Sequence, residues 1–269
     1  MLALAAAMGV LVGVTLGSLG GGGSILAVPA LVYVLGQDVH AATTGSLVIV
    51  SISALTGMVA HARNGRVRVR AGLMFGALGI AGSLLGSRLS VTVAPAVLLT
   101  AFAALLLVAA AAMTLQRRQA KRAAVSDGPG AQAQSASAPP RRPRLRAGVT
   151  LLLAATGVGL LTGFFGVGGG FVVVPALVVI LGFPMHLAVG TSLLVMVINS
   201  GVALLARLDH GVELDWPVLA AFTLAAVFGS LLGSRVAARV RADRLSFAFT
   251  CLLVVVAAYT AARSIPELF

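Results

Sequence analysis

The stretch GSLGGGGSILAVPALV, beginning at Gly17, returns as GFFGVGGGFVVVPALV beginning at Gly163, a shift of 146 positions. The same shift lays Gly20 on Gly166, Gly22 on Gly168, Gly23 on Gly169, Pro29 on Pro175, His40 on His186, Ser46 on Ser192 and Gly65 on Gly211. After one inserted residue, GSLLGSR at Gly82 recurs letter for letter at Gly229. Single matches are common between Ala- and Leu-rich segments, but one register kept across most of both halves is not. The chain is an internal duplication, so its fold is built from two copies of one unit.

Composition makes these membrane units. Of 269 residues, 59% are hydrophobic and 10% charged, with a mean hydropathy of +1.07, far from the values of soluble domains. Apolar segments fall at about 2–18, 24–36, 41–62, 70–89 and 94–115, then at about 148–163, 170–182, 186–207, 215–237 and 245–263. The intervening 116–146 is rich in Ala, Gln, Ser, Pro and Arg, offers nothing to pack, and reads as a flexible aqueous loop. The chain thus divides into a first membrane repeat (1–115), a basic cytoplasmic loop (116–147) and a second membrane repeat (148–269). The first apolar segment lacks a basic leader and runs through glycines into further apolar chain, so it reads as part of the mature protein rather than a signal peptide.

The net charge of +12 invites a nucleic-acid reading, but aromatics are only 5% and the bases lie between apolar segments rather than on a face with stacking rings. They read instead as positive-inside loops. The lone Cys251 excludes an internal disulfide and any CxxC motif, and reads as a small packing residue. Charge placement also orients the halves. If 1–36 crosses the membrane once, the repeats run parallel and the bases divide 14 to 5. If it goes in and returns, the second repeat is inverted and they divide 16 to 3, leaving only Arg88, Arg207 and Arg263 on the minority side. The positive-inside rule favours the second arrangement. The expected fold is therefore an all-α polytopic protein of the cell membrane, with two inverted repeats. Each repeat has a broken, glycine-tipped helical hairpin plus three transmembrane helices; the central loop is cytoplasmic and both termini are outside.

Segments 2–18 and 24–36 are short against a hydrocarbon core of about 30 Å, which suits a hairpin whose tip lies inside the membrane. Broken helices at matching positions of inverted repeats are the best sequence pointer to a transporter's substrate site. The candidate tips are Gly20, Gly21, Gly22, Gly23 and Ser24 in the first repeat, and Gly166, Gly168, Gly169 and Gly170 in the second. Glycines permit positive φ and close backbone approach, while a restarting helix presents free N–H groups and its positive dipole end to an anion. On this reading, bulk at Gly22, Gly23, Gly168 or Gly169 blocks the site, whereas Gly76, within a continuous helix, tolerates it. The competing reading is that the glycines only allow tight helix crossing.

All seven acids lie at segment ends or in loops, which disfavours a cation carrier and leaves no carboxylate pair for acid–base catalysis. Thr44, Ser46, Thr191, Ser192, Asn199 and Ser200 line the helices after the hairpins. Their donors either complete an anion's shell or bond back to the preceding turn; Thr191 and Ser192, which open a segment, lean towards the shell. His40 and His186 are candidates for a coupling proton or simple interfacial residues. Arg88 and Arg235 read as snorkelling side chains, and Trp216 as an interfacial anchor.

These residues resemble the sulfite exporter TauE/SafE family, through the paired glycine breaks followed by VPAL, GTSL at Gly190, and the twin GSLLGSR. The resemblance covers nearly the whole chain outside the central loop and implies a secondary transporter, an exporter, of sulfite, an organosulfonate or another sulfur-containing or organic anion. One departure is ATTGSL at Ala42 against AVGTSL at Ala188, so the hydroxyls of the halves are not equivalent. The expected partners are the small anion, the lipid bilayer and a second copy in a homodimer, with no nucleic acid, cofactor or metal. No nucleotide-binding loop is present to supply ATP drive. The alternative class is a membrane-embedded enzyme or assembly factor, and Asp209, His210, Glu213 and Asp215, the closest grouping for one, read as a polar connection.

Overall fold

The structure is a computed structural model describing residues 1–126, 144–179, 181–207 and 214–264. All regular structure among these residues is helical. The first half contains α1 (Leu2–Leu19), α2 (Gly22–Pro29, continued by a wider π turn over Ala30–Val34), α3 (Val39–Arg63), α4 (Val69–Ser90) and α5 (Pro95–Ser126). The second contains α6 (Arg144–Phe165), α7 (Gly170–Val179), α8 (Met185–Arg207), α9 (Trp216–Arg239) and α10 (Ala242–Ser264). Among the described residues seven helices are long and apolar enough to cross a membrane, while the apolar parts of α2, α6 and α7 are shorter. Large apolar side chains such as Leu153, Leu224, Phe228 and Val255 face outwards, as suits a protein bathed in lipid.

Two helix starts show why the acids sit at segment ends. Asp38 caps α3 by accepting from the N–H groups of His40 (2.8 Å) and Ala41 (3.2 Å), and Asp215 caps α9 through Val218 N–H (3.2 Å). Two expectations are corrected. Residues 116–126 and 144–147 are not loop: α5 runs on to Ser126 and α6 begins at Arg144, since Ala, Arg, Lys and Gln all favour helix; 127–143 lie outside the described residues. Cys251 is exposed rather than packed within the bundle, being on the outward side of α10.

The packing interleaves the halves. α1 lies along α9, and its counterpart α6 lies along α4. Each crossing is a seam of glycines. Gly9, Gly13 and Gly17 rest on the backbone at Phe222, Ala226 and Ser230, and Gly82 and Gly86 rest on Thr156 and Leu160. A Cβ at Gly13 would stand 2.1 Å from Ala226 O, and one at Gly82 would stand 2.0 Å from Thr156 O. GSLLGSR is thus a packing motif: its glycines let two backbones touch where lipid supplies no hydrophobic drive. Ser83 donates to Asn199 O (2.8 Å), and its counterpart Ser230 donates to Ser53 O (3.0 Å), tying α4 to α8 and α9 to α3. The counterpart pairs α3 with α8 and α5 with α10 also pack together.

Chain directions follow from these contacts. α3 and α8 are antiparallel: Thr43 and Thr44, near the start of α3, meet Arg207 at the end of α8, and Gly57 lies against Leu193. α1 and α3 both run alongside α9 in its direction, whereas α6 and α8 both run with α4. In each half the first and third helices therefore share a direction, because the chain turns back between them.

Candidate functional site

The two breaks come from the two duplicated glycine runs, but their backbones differ. In the first, α1 ends at Leu19, Gly20 turns the chain at φ 68°, and α2 restarts at Gly22. Gly22 and Gly23 are inside α2 with helical backbone, so the expected positive φ does not occur there. Gly23 is instead a packing glycine, since a Cβ on it would stand 2.3 Å from Leu16 N. In the second break three residues are left-handed, Gly166 (63°), Gly168 (72°) and Gly169 (66°), a conformation that strains any residue bearing a Cβ.

The breaks meet each other. A Cβ on Gly21 would stand 1.7 Å from the carbonyl carbon of Gly170, so the restarts of α2 and α7 touch backbone to backbone. Gly170 rests on Met196, the midpoint of α8, and Gly168 on Val50, halfway along α3. Each break also reaches the other half: Gly20 lies on Val189 and Ser192, and Gly166 on Thr43, with its carbonyl oxygen accepting from Ser46 Oγ.

Several candidate hydroxyls are already engaged. Ser24 donates to Gly21 O (2.7 Å), Ser46 is also within reach of Thr43 O (3.0 Å), and Ser192 donates to Val189 O (2.8 Å), all bonds back to the preceding turn. Thr191 accepts from Arg68 N–H (3.1 Å), which pins the α3–α4 connection to α8. Asn199 and Ser200 differ. Both are fully buried, and among the described residues neither the Asn199 amide nor Ser200 Oγ has a hydrogen-bond partner. A Cβ on Gly168 would stand 3.0 Å from Ser200 Oγ, whereas Asn199 faces Gly79 on α4.

Sequence reasoning missed Arg207, counting it among the aqueous bases. It is 3% exposed. Its guanidinium donates to Ser87 Oγ (3.1 Å), Thr43 Oγ1 (2.9 Å), Thr44 Oγ1 (3.3 Å), Ser90 Oγ (2.8 Å), Gly163 O (2.7 Å) and Phe164 O (3.4 Å). The last two are orphan carbonyls at the C-terminal end of α6, where a cation opposes the negative dipole end. In the first half His61, 2% exposed, approaches Gly17 O (2.9 Å) at the end of α1. His61 and Arg207 are counterparts in the repeat register, as are Gly17 and Gly163, each pair being 146 positions apart.

His40 and His186 do not reach the breaks. His40 is half-buried beside its Asp38 cap, and His186 is exposed, lining an opening of about 430 Å³ with Asn64, Arg66 and Val240. Among the described residues no cluster of His, Cys, Asp and Glu has the geometry to hold a metal ion.

The sequence profile of the sulfite exporter TauE/SafE family matches residues 5–260. The chain belongs to that family. A relative from Xylella fastidiosa strain Temecula1 named "Probable membrane transporter protein" is 33% identical over 263 residues, covering 95% of this chain and 93% of the relative. "Probable membrane transporter protein YunE" of Bacillus subtilis strain 168 is 26% identical over 250 residues, covering 90% and 91%. No solved structure matches the chain. Membership in TauE/SafE and the seven long apolar helices make this an integral membrane protein of a transporter family.

Proposed function

We propose that the protein is a secondary transporter, working as an exporter, of a small oxyanion such as sulfite, an organosulfonate or another organic anion, bound at the glycine breaks near the membrane midplane. The observation that carries this reading is the contact of the two breaks at Gly21 and Gly170, midway along the long helices α3 and α8. Two chain interruptions in hydrocarbon are tolerated where they line a substrate path. Their restarting helices bring positive dipole ends to the contact between the halves. Halves that meet at the site can rock against each other and expose it to either side in turn. The reading is tested with purified protein in proteoliposomes, offering sulfite, sulfate, thiosulfate, sulfoacetate, taurine, lactate and phosphate. Saturable uptake of at least one is expected, and uptake of none contradicts it.

The opposite directions of α3 and α8 support an inverted second repeat, and the charge tally supports a cytoplasmic central loop with both termini outside. In a Cys251→Ser background, cysteines replacing Asn64 and Arg241 are expected to be labelled from the same side of the membrane. Labelling from opposite sides restores parallel repeats. A homodimer within the cell membrane remains part of the proposal, tested by the mass of the detergent-purified particle.

A further inference from the structure

The breaks are related by duplication, but the side chains around them are not, and we infer that the anion is held at the second break alone, by Arg207 and Ser200. This rests on the transport reading above and narrows its site. Met196, Ser200 and Arg207 fall on one stripe of α8, which runs along the second break from Gly170 past Gly168 to Gly163. The corresponding positions of α3 are Val50, Ala54 and His61. The hydroxyls that cradle Arg207 are one-sided too. Thr43, Thr44, Ser87 and Ser90 correspond to Val189, Gly190, Ser234 and Ala237, so three of the four have no hydroxyl counterpart around His61.

Two features of the second cluster call for a ligand. Among the described residues every hydrogen-bond partner of Arg207 is neutral, although a buried charge ordinarily demands a counter-charge. Beside the same break the Ser200 hydroxyl is fully buried with no partner among the described residues, whereas buried polar groups are normally satisfied. An anion seated between Arg207 and Gly168 supplies both needs. One guanidinium N–H and the Ser200 hydroxyl offer two separate donors, which favours an oxyanion with two adjacent oxygens, a sulfite, sulfonate or carboxylate, over a spherical halide. Displacing the guanidinium's long contact to Thr44 Oγ1 (3.3 Å) frees one Nη1–H for such a ligand, while Phe164 O (3.4 Å) only shares an Nη2–H already given to Ser90 Oγ or Gly163 O.

The test is calorimetric binding of sulfite and of sulfoacetate to the purified full-length protein and its variants, alongside proteoliposome uptake by the wild type. Arg207→Gln should lower affinity by about a hundredfold and Ser200→Ala by roughly twentyfold, in line with lost hydrogen bonds to a charged ligand. Arg207→Lys, which keeps the charge without the fork, should fall between wild type and Arg207→Gln, and His61→Gln should stay within about twofold of wild type. Equal losses in Arg207→Gln and His61→Gln overturn the one-sided site but leave transport standing. Wild-type affinity in Arg207→Gln overturns it as well. If Arg207→Gln does not purify as a single species, Arg207→Lys and Ser200→Ala decide, and wild-type binding by both overturns the proposal. Absence of both binding and uptake in the wild type removes the site and the transport reading together.

Discussion

Gly169→Val is expected to abolish transport, lowering the rate by at least about a hundredfold, while Gly157→Val stays within about twofold of wild type. Gly169 has φ 66°, and its Cβ would fall 1.6 Å from Thr162 Oγ1. Valine adds a β-branched side chain at a backbone conformation it almost never adopts, so the second break must deform. Gly21→Val should act comparably for another reason. Gly21 has an ordinary φ of −61°, but its Cβ would overlap the Gly170 backbone and force the breaks apart. Gly157 is the proper reference because nothing lies within 4 Å of its Cβ position. Gly76 is a less clean reference, because a Cβ there would stand 2.6 Å from Ile198 Cδ1 and that side chain must shift. Transport is measured in proteoliposomes at matched protein density, and wild-type rates in Gly169→Val and Gly21→Val would show that the breaks need no particular shape.

Bulk in the helix seams should affect stability rather than substrate handling. Gly13→Val and Gly82→Val each push a Cβ into a carbonyl oxygen of the neighbouring helix, at 2.1 and 2.0 Å respectively. Overpacking of this kind costs roughly 3 kcal/mol, which corresponds to a fall of about 6–12 °C in the detergent unfolding midpoint for a chain of this size. Gly229→Val should match Gly82→Val closely, because it occupies the same place in the other repeat against Val10 O. Unfolding midpoints of Gly13→Val, Gly82→Val and Gly229→Val within about 2 °C of Gly157→Val would contradict the seam.

Much of this architecture was legible because the chain states it twice. The duplicated register located both breaks, and apolar segments placed the ten helices of the described residues to within a few residues, except where charged, helix-favouring residues carried α5 past 116 and started α6 before 148. Sequence could not tell which glycines turn the chain. In GGGG only Gly20 is left-handed, because α2 has already restarted at Gly22, whereas GVGGG spends three glycines on the turn. Nor could it separate Arg207 from a snorkelling base. At the end of an apolar segment the two look alike, and only the packing of α8 along the second break buries the guanidinium. The recurrence of GSLLGSR marked the repeat without revealing its cause, the close crossing of α4 with α6 and of α9 with α1, which exists only once helices from opposite halves are side by side.

The most direct measurement is binding of the transported anion to purified Gly169→Val and Gly157→Val proteins by titration calorimetry, each first shown to elute as a single species. If the breaks hold the anion, Gly157→Val binds as wild type does and Gly169→Val shows no measurable heat of binding. Equal affinity in all three proteins would mean that the glycines serve packing alone and that the anion is held elsewhere.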